Sequence, residues 1–240
     1  MTADFAELLG HRGPLAQTLE NFEPRREQQL MAEWVGEAIT RRQSLVVEAG
    51  TGTGKTFAYL VPALLSGCHV IISTGTRTLQ DQLYHRDLPV LSRALGRPVR
   101  VALLKGRTNY LCRHRLQLAT ANPSLPGLER GPSRRLATIR AWSQRTRSGD
   151  LAELEFLSDT DPLWAQVTST RESCLGQACA EFSRCHVVAA RREAQAADVV
   201  VVNHHLLLAD LALREEGFGD LLPGTDAVIL DEAHQVPETA

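Results

Sequence analysis

The sequence predicts an α/β fold, a mostly parallel β-sheet flanked by helices and interrupted by a mainly helical insertion. Apolar runs of strand length alternate with helical segments as far as Lys105, and that alternation is typical of parallel sheets. No convincing strand pattern occurs again until Asp198. We therefore expect a leader at residues 1–21, a sheet domain at residues 22–105 and 198–240, and an insertion at residues 106–197.

Bulk composition indicates an ordinary globular protein. The chain has 240 residues, of which 43% are apolar and 22% are charged. No apolar run approaches the roughly 20 residues that span a bilayer, and the N-terminus lacks the basic and apolar regions of a signal peptide. We therefore predict a cytoplasmic protein without a membrane partner. In that compartment its five cysteines are better interpreted as ligands or buried thiols than as disulfides.

Charge is unevenly distributed along the chain. The net charge is −2, but residues 105–147 hold ten basic residues against one acidic residue, Glu129, so this segment carries +9 and the remainder −11. A basic stretch inside an acidic chain is typical of a surface that binds a polyanion. A solvated helix surface is the alternative interpretation.

The first strong helical pattern begins after residue 28. Apolar residues recur at helical spacing from Leu30 to Ile39. Just before them stand Phe22, Arg25 and Gln28, an aromatic, a guanidinium and an amide that could stack on and hydrogen-bond an adenine. A helix start with surface charges is the alternative.

A glycine-rich loop follows an apolar run that starts at Ser44, which predicts a buried strand, a phosphate-binding loop and a helix start. The loop comprises Ala49, Gly50, Thr51, Gly52, Thr53, Gly54, Lys55 and Thr56. Its glycines permit backbone conformations in which successive N–H groups turn toward an anion. Lys55 supplies a point charge for the outer phosphates, and the Thr56 hydroxyl is placed to ligate Mg²⁺.

Further strands are predicted at residues 69–73, 99–104 and 198–202, with helices at residues 57–65 and within 74–83. A last apolar run, from Ala227 to Leu230, ends in Asp231 and Glu232. Carboxylates at the end of a buried strand are costly without a charged partner. Asp231 could hold Mg²⁺ and Glu232 could orient or deprotonate an attacking water. We expect His234 to couple the nucleotide state to nucleic acid.

Four of the five cysteines lie in the insertion. They are Cys112, Cys174, Cys179 and Cys185, separated by 61, 4 and 5 residues. Because the insertion shows little apolar core of its own, a metal centre explains them better than chance. Zinc sites of four cysteines usually contain C-x-x-C turns, so the spacing favours an iron–sulfur cluster, with zinc as the alternative. Cys68 precedes an apolar strand and is interpreted as a core thiol. His186 is interpreted as surplus to the ligand set.

Four runs of sequence together resemble the DinG/YoaA family, XPD-like superfamily-two DNA helicases of bacteria. These runs cover residues 46–56, 103–112, 200–205 and 231–234, and residues 217–223 favour the YoaA branch. Ala49, at the first glycine position of the general phosphate-loop motif, also matches the helicase form of the loop. The similarity extends from about Phe22 to the end of the chain.

The resemblance implies a RecA-like domain with an iron–sulfur insertion. It assigns Phe22, Arg25 and Gln28 to the adenine side of an ATP site, and the loop with Lys55 to the phosphates and Mg²⁺. Asp231 and Glu232 would then drive hydrolysis. The insertion cysteines would hold a four-iron four-sulfur cluster. The residues that it places along a single-stranded DNA path are Thr74, Arg77, Lys105, Arg107, Asn109 and Tyr110.

The implied function is that of a monomeric ATP-dependent DNA helicase. It would move 5′ to 3′ on single-stranded or forked DNA in repair or replication, with proteins of those processes as partners. Family members continue into a second RecA-like domain, so we expect this chain to be an N-terminal portion that binds nucleotide and DNA without processive unwinding. Two alternatives remain: a non-catalytic cluster-bearing DNA-binding or redox-sensing module with a nucleotide switch, and a zinc-bearing ATPase that acts on protein.

Overall fold

The computed structural model describes residues 4–50, 52–121, 134–217 and 221–239. It divides into two compact units, one formed by residues 1–103 and 194–240 and the other by residues 104–193. The insertion expected at residues 106–197 therefore occupies nearly the same range as the second unit. Among the described residues, no helix is both long and apolar enough to cross a membrane.

The helices of the described residues are α1 (Phe5–Leu8), α2 (Pro14–Thr18), α3 (Arg26–Arg41), α4 (Lys55–Ser66), α5 (Arg77–Gln82), α6 (Leu88–Ala94), α7 (Arg113–Ala121), α8 (Arg134–Trp142), α9 (Pro162–Val167), α10 (His186–Ala196), α11 (His204–Glu215) and α12 (Val236–Thr239). A turn of π-helix, Leu83–Asp87, joins α5 to α6. Several short 3₁₀ turns complete the connections.

The sheet of the first unit confirms the α/β prediction. Its strands are β1 (Val70–Thr74), β2 (Val101–Leu103), β3 (Val199–Asn203) and β4 (Ala227–Leu230), in the spatial order β2-β3-β1-β4. All the pairings are parallel. The central strands β1 and β3 are almost entirely buried, as their continuous Val and Ile runs predict. The carboxyl ends of β1, β3 and β4 therefore share one edge of the sheet.

The expected strand before the phosphate loop is absent from the structure. Residues 43–50 have no regular secondary structure, and Val46 is 97% exposed. A strand needs a neighbour that satisfies its backbone N–H and C=O groups. Within the described residues this segment pairs with none of the four strands, and β4 pairs on one side only, with β1. Apolar composition alone was therefore insufficient to make a strand here.

The described part of the leader packs against the first unit. Leu9 and Leu15 are fully buried in its hydrophobic core. The Gln29 amide of α3 donates to the Leu9 carbonyl oxygen over 3.2 Å. A methyl group at Gly36 would lie 2.5 Å from the Phe5 ring, so α1 touches the backbone of α3. The leader thus supports α3, the helix that carries Gln28.

The second unit has a hydrophobic core of its own, contrary to the expectation of little core. Its buried side chains are Leu111, Leu116, Ala119, Leu136, Ile139, Trp142, Leu151, Leu154, Leu157, Leu163, Trp164 and Val167. They come from α7, α8, α9 and the segments that connect them. The sequence does not indicate this core because its residues are scattered along irregular segments, where no single period shows that they are buried. Lack of a core therefore no longer argues for a metal in this unit.

Candidate active site

The glycine-rich loop takes the conformation that its composition predicts. Gly52 and Gly54 have φ angles of 81° and 79°, in the left-handed region that favours glycine. Gly54 caps the N-terminus of α4, whose first N–H groups have no partner within the helix. A helix start of this kind favours an anion through its N–H groups and its dipole. Thr51 lies outside the described residues.

Lys55, the first residue of α4, joins the loop to the end of β4. Its ammonium donates to the Ala49 carbonyl oxygen over 3.0 Å and lies 3.9 Å from the Glu232 carboxylate. Within the loop, the Thr53 hydroxyl donates to the Gly50 carbonyl oxygen over 2.9 Å. The cation is therefore held between the loop and a carboxylate that stands 177 positions later in the chain.

Asp231 is held by a residue that the motifs did not indicate. The Tyr59 hydroxyl, on the second turn of α4, donates to Asp231 Oδ2 over 3.1 Å. Burial raises the pKa of Asp231, and burial together with the neighbouring carboxylate raises the pKa of Tyr59 well above its ordinary value. The Thr56 hydroxyl acts on the same phenol in the opposite direction and lowers the pKa of Tyr59.

Glu232 stands in an unusual backbone conformation. Its φ of 54° lies in the left-handed region, which few residues other than glycine adopt, and only one other described non-glycine residue, Arg42, has a positive φ. The His234 ring lies 3.5 Å from the Glu232 carboxylate, and its side chain is 71% exposed. The turn after β4 thus presents Glu232 toward Lys55 and leaves His234 at the surface.

The three residues expected on the adenine side lie near the loop. The Gln28 amide donates to the Gly54 carbonyl oxygen over 3.0 Å, and its Oε1 is buried without a hydrogen-bond partner. Arg25 Nη1 lies 3.8 Å from the point where a methyl group on Gly52 would stand. The rings of Phe22 and Phe57 are 6.4 Å apart. Gln28 therefore contacts the phosphate loop itself.

A buried polar contact lies at the same edge of the sheet. Ser73, at the end of β1, shares a 2.7 Å hydrogen bond with Nδ1 of His204, the first residue of α11. Burial lowers the pKa of His204. Asn203 caps α11 by accepting the Leu206 N–H over 2.9 Å. The sequence offered a signal for this contact in the polar residues that follow β3, but no indication of their partner.

Most of the residues expected to line a DNA path are buried in this structure. Thr74 is fully buried, and its hydroxyl donates to the Thr76 carbonyl oxygen. Lys105 is 4% exposed and its ammonium pairs with Asp150 over 2.7 Å. The Tyr110 hydroxyl accepts the Lys105 backbone N–H, and the side chain is buried, so its ring is not available to stack on a base here.

Asn109 is buried as well and donates to the Gly106 carbonyl oxygen over 3.0 Å. These polar groups hold the segment after β2 in shape, because buried charges and amides require partners. Arg77 is exposed and Arg107 is half-buried. Of the six residues, these two remain at the surface.

The four insertion cysteines are half-buried and form no disulfide. Burial raises the pKa of the Cys112 thiol, and the charges of Cys179 and Cys185 add to that effect, so these sulfurs lie within electrostatic range of one another. Cys179 and Cys185 each end a one-turn 3₁₀ helix. Nevertheless, nowhere in the described ranges do three or more His, Cys, Asp or Glu side chains gather closely enough to hold a metal ion.

Residues 28–123, which include the glycine loop and Lys55, match the model of the DEAD/DEAH box helicases. Three relatives show how far the similarity of this chain extends.

The ATP-dependent DNA helicase YoaA of Escherichia coli is 51% identical over 241 residues, covering 100% of this chain and 37% of that protein. YoaA of Haemophilus influenzae is 49% identical over 235 residues, covering 98% and 36%. The ATP-dependent helicase DinG of Mycobacterium tuberculosis is 39% identical over 234 residues, covering 89% and 34%. The chain thus spans little more than a third of the length of these relatives.

Proposed function

We propose that this chain is the nucleotide-binding portion of an ATP-dependent DNA helicase. The observation that carries the proposal is the meeting of Lys55, Glu232 and the Tyr59-supported Asp231 beside a glycine loop that opens α4. A cation, a helix start and two carboxylates in one place suit phosphoryl transfer from a nucleoside triphosphate. The names of the relatives support ATP as that nucleotide and DNA as the polymer.

In this proposal the phosphates of ATP lie against the loop N–H groups and the first turn of α4. Lys55 turns from the Ala49 carbonyl to the outer phosphates. The oxygen donors Thr56 and Asp231 suit Mg²⁺, which offsets phosphate charge when bound. Glu232 orients or deprotonates the attacking water. Phe22, Arg25 and Gln28 form the adenine side, so that Gln28 would link base recognition to the loop through Gly54.

The remainder of the helicase cycle is part of the same proposal. Single-stranded or forked DNA is the polymer, movement is 5′ to 3′, and proteins of repair or replication are the partners. Arg77 and Arg107, the two surface residues of the expected DNA set, would contact phosphates. Repeated movement also needs a second motor domain, for which the additional length of the relatives leaves room.

A four-iron four-sulfur cluster is the metal group that we propose for the second unit. All four insertion thiols are free of disulfides, and four cysteine thiolates are the donors that such a cluster takes, so the donor set fits the cluster in its chemistry. Cys112, Cys174, Cys179 and Cys185 would hold it. A cluster of this type accepts or releases one electron and joins the segments that carry its ligands. The segments of Cys174, Cys179 and Cys185 would have to close on Cys112.

The nucleotide proposal is tested on the full-length protein by measuring ATP turnover with and without single-stranded DNA. We expect Lys55→Ala to abolish ATP binding. Glu232→Gln should keep ATP binding but lower turnover by at least about 100-fold, because it removes the general base. Glu238→Gln, an exposed acid in α12, is the matched control and should turn over ATP normally. Normal DNA-stimulated turnover by Glu232→Gln would instead favour the non-catalytic module.

The metal proposal is tested by iron, sulfide and zinc analysis of protein purified without oxygen. We expect four iron and four sulfide per chain, on the order of full occupancy of one cubane cluster, with visible charge-transfer absorption. Cys112→Ser should lose the iron–sulfur content and the absorption, whereas Cys68→Ser should keep them. Stoichiometric zinc without sulfide would support the alternative of a zinc-bearing ATPase.

A further inference from the structure

The loop that leaves β1 is joined to the turn that carries Glu232. The Asp231 N–H donates to the Ser73 carbonyl oxygen over 2.8 Å. Gly75 stands two residues after Ser73, and the Gln235 side chain lies against it. All these residues belong to the first unit. The segment before Arg77 is therefore in contact with the turn on which the hydrolytic carboxylates stand.

The Gln235 amide occupies the space that a side chain on Gly75 would take. A methyl group on Gly75 would lie 1.8 Å from Gln235 Oε1 and 2.6 Å from its Cδ, far inside van der Waals contact. Gln235 is in turn tied to the catalytic turn, since its backbone N–H donates to the Glu232 carbonyl oxygen over 2.9 Å. One side chain thus extends from the Glu232 turn to the backbone of the β1 loop.

The Glu232 turn is suited to being shifted by such a contact. A left-handed glutamate is less favourable than one in ordinary backbone conformation and persists only where its surroundings hold it. Gln235 and Asp231 provide two of the contacts that do so. A displacement of the β1 loop by a fraction of an ångström would reach Glu232 through Gln235, because tightly packed groups move together.

We propose that Gln235 is a positioning residue that couples the β1 loop, Thr74 to Arg77, to Glu232. A nucleic-acid strand that engages the loop through Arg77 would press Gly75 onto Gln235 and set the Glu232 carboxylate for water activation. This coupling rests on the proposed function, since it requires ATP turnover and a nucleic acid at the loop. It assigns Gln235 no contact with ATP or with the strand.

The test compares Gln235→Ala with wild type in the full-length protein, using ATP turnover with and without a single-stranded oligonucleotide. We expect the ratio of DNA-stimulated to DNA-free kcat to fall by about fivefold or more, the usual range of allosteric coupling. The KM for ATP and the oligonucleotide affinity should change by less than about twofold. Gln43→Ala, an exposed glutamine outside both motifs, is the matched control and should keep the wild-type ratio.

Gly75→Ala offers a second route to the same contact, because its methyl group must displace the Gln235 amide. Gly224→Ala is its control, since a methyl group there meets nothing within 4 Å. If the contact is the coupling element, the Gly75→Ala/Gln235→Ala double variant should lose little more stimulation than either single variant. Melting temperatures establish that each variant is folded. If Gly75→Ala does not fold, the Gln235→Ala ratio decides.

Three results would overturn the coupling. The first is a Gln235→Ala protein whose DNA stimulation matches wild type, and the second is additive losses in the folded double variant. The third is a loss of turnover that is equal with and without DNA, since Gln235 would then serve the chemistry or the fold alone. Failure of the proposed function looks different, because wild type itself would then show no ATP turnover or no response to DNA.

Discussion

Tyr59 holds the Asp231 carboxylate through a hydrogen bond that the sequence motifs do not indicate. It stands four positions after Lys55 on α4, so both side chains project from neighbouring turns of one helix face. Its hydroxyl reaches Asp231, whereas nothing in the local sequence names that partner. A buried carboxylate that accepts a hydrogen bond is held in one orientation, which is what a cation ligand requires.

Tyr59→Phe should weaken the use of Mg²⁺ more than the binding of nucleotide. Loss of the 3.1 Å hydrogen bond leaves Asp231 free to turn, so the Mg²⁺ concentration that gives half-maximal ATP turnover should rise by about tenfold. Nucleotide affinity measured without Mg²⁺ should be unchanged. Tyr84→Phe, a half-buried tyrosine on the π-helical turn, is the control. An unaltered Mg²⁺ titration would contradict the assignment of Tyr59.

Gly54→Ala should abolish ATP binding without unfolding the protein. The substitution places a methyl group 2.1 Å from the Gln28 amide, on a residue with φ of 79°, so the loop and the Gln28 side chain of α3 must move apart. Gly67→Ala is the matched control, because its φ of 72° is equally unfavourable while no atom lies within 4 Å. Both should lose about 1 kcal/mol of stability. Only Gly54→Ala should fail in a fluorescent-nucleotide titration, and equal binding losses would refute the proposed clash.

At the scale of elements, an ion pair fastens β3 to the residue before β2. Arg100 donates through its backbone N–H and its guanidinium to the Asp198 carboxylate, over 2.9 and 2.7 Å. The guanidinium hydrogen bond lowers the pKa of Asp198. A carboxyl whose pKa is lowered in the folded state contributes stability above its unfolded pKa. That contribution is lost as the pH falls through the folded value.

Asp198→Asn should therefore destabilise the protein near neutral pH and lose this effect in acid. At pH 7 we expect a decrease of about 2 °C in the melting temperature, modest because the pair is partly exposed to solvent. Below about pH 3.8, the ordinary pKa of the group, the difference from wild type should shrink toward zero. Scanning calorimetry across this pH range measures it. A difference that is independent of pH would show that packing, and not charge, is responsible.

At the scale of the whole molecule, the sheet of the described residues is open beside β4. Val228 and Leu230 of β4 are 47% and 44% exposed, and Val46 is almost fully exposed. Solvent-facing apolar groups on a strand with one free edge invite a further strand. The relatives are nearly three times as long as this chain, so they have sequence available for that pairing.

Hydrogen exchange should detect whether residues 44–48 pair with the sheet in the full-length protein. In the 240-residue chain we expect the amides of residues 44–48 to exchange as fast as unpaired backbone. In the full-length protein their exchange should slow by at least about 100-fold, on the order of the protection that sheet hydrogen bonds provide. The amides of β3 should be protected in both and serve as the internal reference. Equal exchange of residues 44–48 in the two proteins would show that this segment never joins the sheet.

The sequence alone determined the features that neighbouring residues encode. Four of the five expected strands, the glycine loop and the helix that starts at Lys55 all lie where local pattern indicated them. The reason is physical: an apolar run, a left-handed glycine and a carboxylate after an apolar strand each constrain the backbone within a few residues. The same locality placed Asp231 and Glu232 at the sheet edge that Lys55 also reaches.

Only the tertiary structure decided what depends on distant partners. Tyr59 and Asp231 are 172 positions apart, and Gln235 lies on Gly75 from the opposite end of the chain. From the sequence, Lys105 is expected to be a surface cation, whereas in the structure it is buried and paired with Asp150. The apolar segment at residues 44–47 is expected from its sequence to be a strand, but its backbone has no strand neighbour among the described residues. Burial and pairing are properties of two surfaces together, so one stretch of sequence cannot specify them.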